Sequence, residues 1–304
     1  MLLGGLQRAQ RVLAVRYVVI QPRAVSEFRS VLARASAIGF DLIIGTSFDM
    51  VDPMQQIARA FPRQDFGLID VGPDPLADNI TSTLTKDWEG ACLAGWLAAQ
   101  TSRTGVIGFI GGKEIPIIRR FFTGYYYGAR LASPSTRVLE SYTGSFTEPA
   151  LGKEYAQAMA ARRADVIFAA AGATGAGVID AARGGGLLAI GVDSDQDGMA
   201  PGHVLTSLVK HVDGQAFDMI RSVVDGSFRG GRVLRYGLTE DGGVSLALDK
   251  YNRPLLAPDL LQRLGDLRDR IRSGAITVPN FFDLKPGQGE MGSPPIEVPA
   301  SLRS

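Results

Sequence analysis

Short apolar runs alternate with amphipathic stretches along most of the chain. The runs cover residues 15–20, 41–45, 66–71, 106–111, 166–171, 188–192 and 204–209, each too short for a helix and bounded by polar or glycine-bearing turns. Between them, residues 26–38, 53–61, 88–101, 115–132, 153–161 and 212–224 place apolar side chains at the 3.6-residue spacing of an amphipathic helix. Strand runs without alternation are buried on both faces, and strands separated by helices are the pattern of parallel βαβ units. The predicted fold is therefore α/β, with two doubly wound parallel-sheet lobes facing a common cleft. A polar break at 100–105 marks the predicted crossing between lobes, so that the second begins at 104. From Asp283 the chain is rich in Pro, Gly and Ser without periodicity, which predicts a disordered tail over 283–304.

Length and composition narrow the chemistry. The 304 residues suit one large or two ordinary domains. With 32 basic against 31 acidic residues the net charge is +1, which argues against nucleic-acid binding by bulk charge. The single cysteine, Cys92, excludes a disulfide scaffold and a cysteine-built zinc site. It lies in Cys92-Leu-Ala-Gly95, which reads like a lipoprotein box out of place, and the helical pattern around it predicts a core position. His203 and His211 are the only histidines, so metal or triad chemistry has few tools. The N-terminus shows no apolar stretch of signal-peptide kind, and no window approaches a membrane span.

In open parallel sheets ligands bind beyond the carboxyl ends of the strands. The candidates there are Ser47 and Phe48, Asp70, Gly111-Gly-Lys-Glu114, Thr143-Gly-Ser-Phe146, Gly172-Ala-Thr-Gly-Ala-Gly177, Asp193-Ser-Asp-Gln196 and Lys210. The Gly172–Gly177 stretch follows a strand and opens a helix. It could cradle a phosphate, or form a turn that lets a ligand or helix approach the backbone. No Tyr-x-x-x-Lys relay accompanies it. Asp193 and Asp195 could act as paired carboxylates, or accept hydrogen bonds from a ligand, with Asp195 alternatively an Asx turn or helix cap. Phe146, in a polar turn, is either a lid over the core or a stacking face for a ring. Lys210 stands at a strand mouth in a chain with six lysines against 26 arginines. Arg119 and Arg120 read as an ordinary amphipathic helix face, and Tyr125 to Tyr127 as interface or core.

Several segments together resemble the basic membrane protein family of ABC-transporter substrate-binding lipoproteins. They are Gly108-Phe-Ile-Gly-Gly-Lys-Glu-Ile-Pro-Ile-Ile-Arg-Arg-Phe121, Tyr142-Thr-Gly-Ser-Phe146 with Gly152-Lys153, and Ala164-Asp-Val-Ile-Phe168 running into Ala171-Gly172. Ile190-Gly-Val-Asp-Ser-Asp-Gln196, Val204-Leu-Thr-Ser-Leu-Val-Lys210, Gly242-Gly-Val244 and Ile271-Arg-Ser-Gly-Ala-Ile-Thr-Val-Pro279 complete the series. The likeness runs from about residue 5 to 280 in the family's order.

The resemblance implies a type I periplasmic-binding-protein fold, two lobes hinged about a ligand cleft. It implies a first lobe of 1–103 with about 208–235 and a second of 104–207 with about 236–282. Characterised members bind purine nucleosides and deliver them to a membrane permease. By that likeness Phe146 stacks on the base, the Gly172 backbone lines the cleft, and Asp193 and Lys210 hydrogen-bond the ribose or base edge. Phe48 and Asp52 correspond to the family's wall on the first lobe. No catalysis, metal or cofactor is implied. The chain begins inside the family's first helix, at Gly5-Leu-Gln-Arg8, so the family's first strand, second stacking aromatic and export signal are expected to be absent. The family implies a lipoprotein at the cell surface or in the periplasm; a genuine start at Met1 implies the cytoplasm. A cytosolic ligand sensor of the same fold is the second reading. A nicotinamide-dependent reductase or nucleoside hydrolase on the same scaffold is the third.

Overall fold

We describe the protein from a computed structural model. It describes residues 2–46, 48–71, 76–239, 241–285, 298–299 and 302. In chain order the elements begin with α1 (Leu2–Leu13), α2 (Phe28–Ile38), β1 (Leu42–Gly45), α3 (Val51–Ala60), β2 (Asp65–Leu68) and β3 (Ile80–Thr85). They continue with α4 (Asp87–Thr101), β4 (Val106–Gly111), α5 (Pro116–Ala132), β5 (Arg137–Tyr142), α6 (Pro149–Ala161), β6 (Val166–Ala170) and α7 (Gly175–Arg183). The rest are β7 (Leu188–Asp193), β8 (Val204–Lys210), α8 (Val212–Val224), β9 (Arg232–Tyr236), β10 (Val244–Leu246) and α9 (Pro258–Arg272). The chain divides into two compact units, Met1–Lys86 with His211–Gly243 and Asp87–Lys210 with Val244–Ser304.

In the first unit four parallel strands are ordered β1-β2-β3-β9. Strand alternation sends Ile43 to one face, against the Leu32, Met54, Ile57 and Phe66 cluster beneath α2 and α3. It sends Leu42 and Ile44 to the other, against Ala216 and Met219 of α8. Strand β3 went unseen in the hydropathy pattern because it is Ile-Thr-Ser-Thr-Leu-Thr, with Thr81, Ser82, Thr83 and Thr85 buried. Its hydroxyls are satisfied internally. Thr83 Oγ1 lies 2.5 Å from Gln215 Oε1, Thr85 Oγ1 accepts from Gln215 Nε2 at 2.9 Å, and Thr81 Oγ1 donates to the Arg229 carbonyl.

The run 15–20, expected as a strand, is not one. It joins α1 to the turn before α2, and Val18, Val19 and Ile20 are exposed. An apolar run becomes a strand only where a neighbour takes its ladder hydrogen bonds. Among the described residues no strand of the β1-β2-β3-β9 sheet takes the ladder bonds of 15–20, although β1 stands at an edge of that sheet.

The second unit holds a six-stranded sheet of order β10-β8-β7-β6-β4-β5, parallel except for β10, which runs antiparallel to β8. One face packs Ile110, Ile167 and Ala169 against Met159 of α6 and Val178 and Ile179 of α7. The opposite face carries an aromatic layer. Phe109 and Phe168 have ring centroids 5.6 Å apart, and Tyr125 of α5 meets Phe168 at 5.4 Å.

The boundary at 103 is corrected by α4. The chain leaves the first unit at Lys86, returns at His211 and leaves again after Gly243, so α4 belongs wholly to the second unit. The helix is buried on nearly every side from Asp87 to Ala98, and its backbone touches that of α5. A Cβ on Gly95 would sit 1.9 Å from the Tyr125 carbonyl oxygen, and one on Gly128 the same distance from that of Cys92. The polar break at 100–105 is a turn rather than a crossing. Asp165 ties it down, accepting from Ser102 Oγ at 2.5 Å, from Arg103 N at 2.7 Å and from Thr104 N at 3.0 Å. Within the expected tail, Asp283 closes a short 3-10 turn and Val298 is buried. Residues 286–297, 300, 301, 303 and 304 lie outside the described residues.

Candidate functional site

Strands β4 to β8 run parallel, so their ends line one edge of the second unit's sheet. Lys210, Asp193, Ala170, Gly111 and Tyr142 stand there in spatial order, each at the last residue of its strand. Four of the six expected binding residues, Phe146, Gly172, Asp193 and Lys210, fall on or just beyond that edge.

Asp193 and Lys210 are neighbours. Asp193 Oδ1 lies 4.0 Å from Lys210 Nζ, with the carboxylate side chain 48% exposed and the lysine 8%. Asp193 adopts a left-handed φ of 67°, and the Ser194 amide donates to the Val192 carbonyl at 2.8 Å across it. That is a γ-turn of the rare, strained kind. The surrounding loop is pinned. Gln196 Oε1 accepts from Val192 N at 3.0 Å, and Gln196 N donates to Ser207 Oγ at 2.9 Å. Ser207 Oγ donates to buried Asp197 at 2.6 Å, as does Asn252 Nδ2. Burial, then the nearby Asp195 and Asp249 carboxylates, push the Asp197 carboxyl up to about 7 against the Ser207 hydrogen bond. Asp195, Asp197 and Asp249 present oxygens within 4.8 Å of one another.

Behind Lys210 stands Asp87, the fully buried first residue of α4. Arg120 of α5 holds it with two bonds, Nε to Oδ1 at 2.6 Å and Nη2 to Oδ2. Lys210 Nζ lies 3.8 Å from Asp87 Oδ2 and 5.6 Å from the Phe121 ring. The helix-face reading of Arg119 and Arg120 is thereby corrected: both are buried, with Arg119 donating to Tyr142 Oη at 2.8 Å and pairing with Glu140. Burial raises the Glu140 carboxyl against the pull of Tyr142 and Arg119. Asp87 and Arg120 were missed because an acidic helix start and an arginine pair look like surface features. The clue was their setting, Asp87 opening a largely apolar helix and Arg120 abutting Phe121-Phe122.

Phe146 and Gly172 also meet. The Phe146 ring packs so closely on Gly112 that a Cβ there would lie 2.3 Å from it, and the Phe146 carbonyl accepts from Thr174 N at 3.3 Å. Gly172 has a φ of 55°, where glycine is favoured, and a Cβ would lie 3.0 Å from the Phe146 carbonyl oxygen. Thr143 and Thr174 fix the loop. Thr143 Oγ1 bonds the Ser145 carbonyl at 2.9 Å, and Thr174 Oγ1 accepts from Glu148 N at 2.9 Å. Phe146 itself is half-buried. The Gly172–Gly177 stretch is a 3-10 turn leading into α7, and α6 abuts it: a Cβ on Gly177 would sit 1.7 Å from the Pro149 carbonyl.

The other two expected residues belong to the first unit. Phe48 opens a 3-10 turn after β1 and is 65% exposed, and Asp52 is exposed in the first turn of α3. Ser47 lies outside the described residues. Asp70 has a positive φ of 58°, and its carboxylate accepts from Thr85 N at 3.1 Å, a structural tie to β3. An open depression of about 620 Å³ lies at the other end of this unit's strands, lined by Phe40, Asp41, Phe61, Arg63 and Asp65, and takes in none of the expected residues. Cys92 is buried in α4, as its helical setting predicts, and burial pushes its thiol up. No helix among the described residues is long and apolar enough to cross a membrane.

Two α/β units joined by three crossings, with a polar edge at the strand ends, define the fold of the solute-binding proteins of ABC transporters. A crystal structure of ABC transporter solute-binding proteins from Aeropyrum pernix K1 superposes with a TM-score of 0.78 at 29% identity, covering 91% of this chain and 88% of that one. The chain belongs to the Bmp family, ABC transporter substrate-binding protein PnrA-like, which matches residues 1–280. The nucleoside-binding protein BmpA of Lactococcus lactis subsp. cremoris is 32% identical over 283 residues, 87% of this chain and 78% of that protein. Basic membrane protein A of Borreliella burgdorferi is 32% identical over 284 residues, 91% of this chain and 82% of that protein. The family resemblance and type I fold expected from the motifs are thus borne out.

Proposed function

We propose that this protein is the receptor of an ABC importer and that its ligand is a purine nucleoside. The observation that carries this reading is the carboxyl edge of the second sheet. There the Asp193 carboxylate and Lys210 ammonium stand 4.0 Å apart, on the same edge as the half-buried Phe146 ring and the Gly172 backbone. A ribose carries vicinal hydroxyls that both donate and accept, which suits a carboxylate beside an ammonium. A purine offers a flat face to an aromatic ring. Phe48 and Asp52 of the first unit are proposed as further ligand contacts, and the ligand-bound form is the one that the permease reads. The relative named as nucleoside-binding supports the same choice.

The test is calorimetric titration with guanosine, inosine, adenosine and a cytidine control. Saturable binding of the purines alone is the expected result. Binding of an unrelated solute, or of no nucleoside, overturns the nucleoside assignment while leaving the family untouched.

A further inference from the structure

The chain between α1 and α2 passes from one face of the first unit's sheet to the other. Leu2 of α1 packs with Ala216 and Met219 of α8 on one face, and Leu32 of α2 with Met54 of α3 on the opposite face. What joins the two helices is apolar and uncovered. Val12, Val18, Val19, Ile20 and Val25 are each about half exposed or more. In neither a strand nor a helix do three consecutive side chains share one face, so the exposure of Val18, Val19 and Ile20 together means that the segment stands clear of the body on more than one side. Exposed aliphatic residues are ordinary singly, but this cluster forms a patch of the kind that marks an interaction surface.

The same stretch is basic. Glu27 is the first acidic residue of the chain, and Arg11, Arg16 and Arg23 are exposed among the aliphatic side chains. Six arginines against that one glutamate give residues 1–40 a charge of +5; the whole chain carries +1, so the remaining residues carry −4. Basic charge is thus concentrated where the apolar side chains are bare. A partner strand would cover the valines and asks for no charge, whereas an anionic phospholipid interface takes both kinds of group. Its phosphates suit the guanidiniums, its acyl boundary suits valine and isoleucine, and arginine stems lie along the apolar layer between them.

We propose that residues 11–25 form a peripheral docking surface for an anionic phospholipid membrane. Val18, Val19 and Ile20 enter the acyl boundary, and Arg11, Arg16 and Arg23 are held at the lipid phosphates. The contact lies on the bilayer surface and is independent of the strand-end site and of the nucleoside reading.

The experiment is co-sedimentation of the full chain with vesicles of phosphatidylcholine alone and of phosphatidylcholine mixed with phosphatidylglycerol. The chain is expected on the mixed vesicles only, and to leave them as salt rises to about 1 M, where the screening length falls to about 3 Å. Each arginine near such a surface is worth about fivefold in binding, so Arg11→Gln/Arg16→Gln/Arg23→Gln is expected to bind weaker by at least about tenfold. All three side chains are exposed, so its melting temperature should stay near that of the wild type. Arg253→Gln/Arg268→Gln/Arg272→Gln takes the same charge from exposed positions of the second unit and should bind like the wild type. Val19→Ser/Ile20→Ser keeps the charge and should still weaken binding, which a purely electrostatic contact would not show. Absence from the mixed vesicles, unchanged binding of the first triple variant, an equal loss in the second, or no effect of the serine pair overturns the proposal. So does a lipid-free dimer that the serine pair abolishes in a protein that no vesicle binds; the occupant is then a second copy of this chain.

Discussion

Asp193 Oδ1 and Lys210 Nζ stand 4.0 Å apart at the ends of adjacent parallel strands, β7 and β8. The pairing register sets Asp193 opposite Val209, which brings Lys210 one residue beyond it. Parallel pairing therefore fixes an acceptor and a donor side by side on a rigid edge. The strained turn at Asp193 aims the half-exposed carboxylate outward, and the Gln196–Ser207–Asp197 network beneath holds that turn. Little rearrangement is needed when a ligand arrives.

Asp197 makes stability depend on pH. Its carboxyl is raised from 3.8 to about 7 by burial first and by the neighbouring Asp195 and Asp249 carboxylates. A raised carboxyl binds its proton more tightly folded than unfolded. Its contribution is therefore complete below the unfolded value and lost as pH climbs through about 7. The slope has a ceiling of roughly 1.4 kcal/mol per pH unit. Denaturant titrations from about pH 5 to pH 8 should show the wild type losing stability more steeply than Asp197→Asn. Parallel curves would refute the assignment.

The buried Asp87–Arg120 pair should be costly to break and cheaper to remove. Arg120→Met leaves a fully buried carboxylate without its fork and is expected to cost about 3–5 kcal/mol. Asp87→Asn/Arg120→Gln removes both charges and should cost distinctly less. Equal losses for the two, read from denaturation midpoints, would contradict the ion-pair account.

Gln215 clamps the polar strand β3. Its amide contacts Thr83 at 2.5 Å, Thr85 at 2.9 Å and the Gly242 carbonyl at 2.6 Å, all buried. Gln215→Leu strands these groups and should cost at least about 2 kcal/mol in unfolding free energy. A variant as stable as the wild type would mean that the hydroxyls find other partners.

How much of this was legible in the sequence depended on where burial was apolar. Strands β4, β6, β7 and β8 stood out as short apolar runs, α4 as a long apolar stretch, and α5 and α8 by apolar positions at a spacing of 3.6. Strand β3 did not, because its buried threonines are paid for by Gln215, 130 residues away in sequence from Thr85. The run 15–20 misled for the converse reason: it has a strand's composition but no ladder partner among the described residues. Four of the expected site residues lie at or just beyond strand ends, as the strand pattern of the sequence places them, whereas Asp87 and Arg120 look like surface charges until tertiary packing buries them. The lobe boundary was misplaced because the polar turn at 100–105 is satisfied by Asp165, again distant in sequence.

Phe146 tests the ring face. It is half-buried against Gly112, so Phe146→Ala should fold, and its melting temperature should fall only slightly. Losing one stacking face is expected to weaken purine binding about tenfold, near 1.4 kcal/mol. Unchanged affinity would remove Phe146 from the site.

The most direct test is a paired calorimetric titration of the wild type and Asp193→Ala with the same purine nucleoside, with melting curves on both. The account predicts saturable wild-type binding, a loss well beyond tenfold in the variant, and nearly equal melting temperatures, because Asp193 contributes to the ligand rather than to the core. Equal affinity in the two proteins would contradict it.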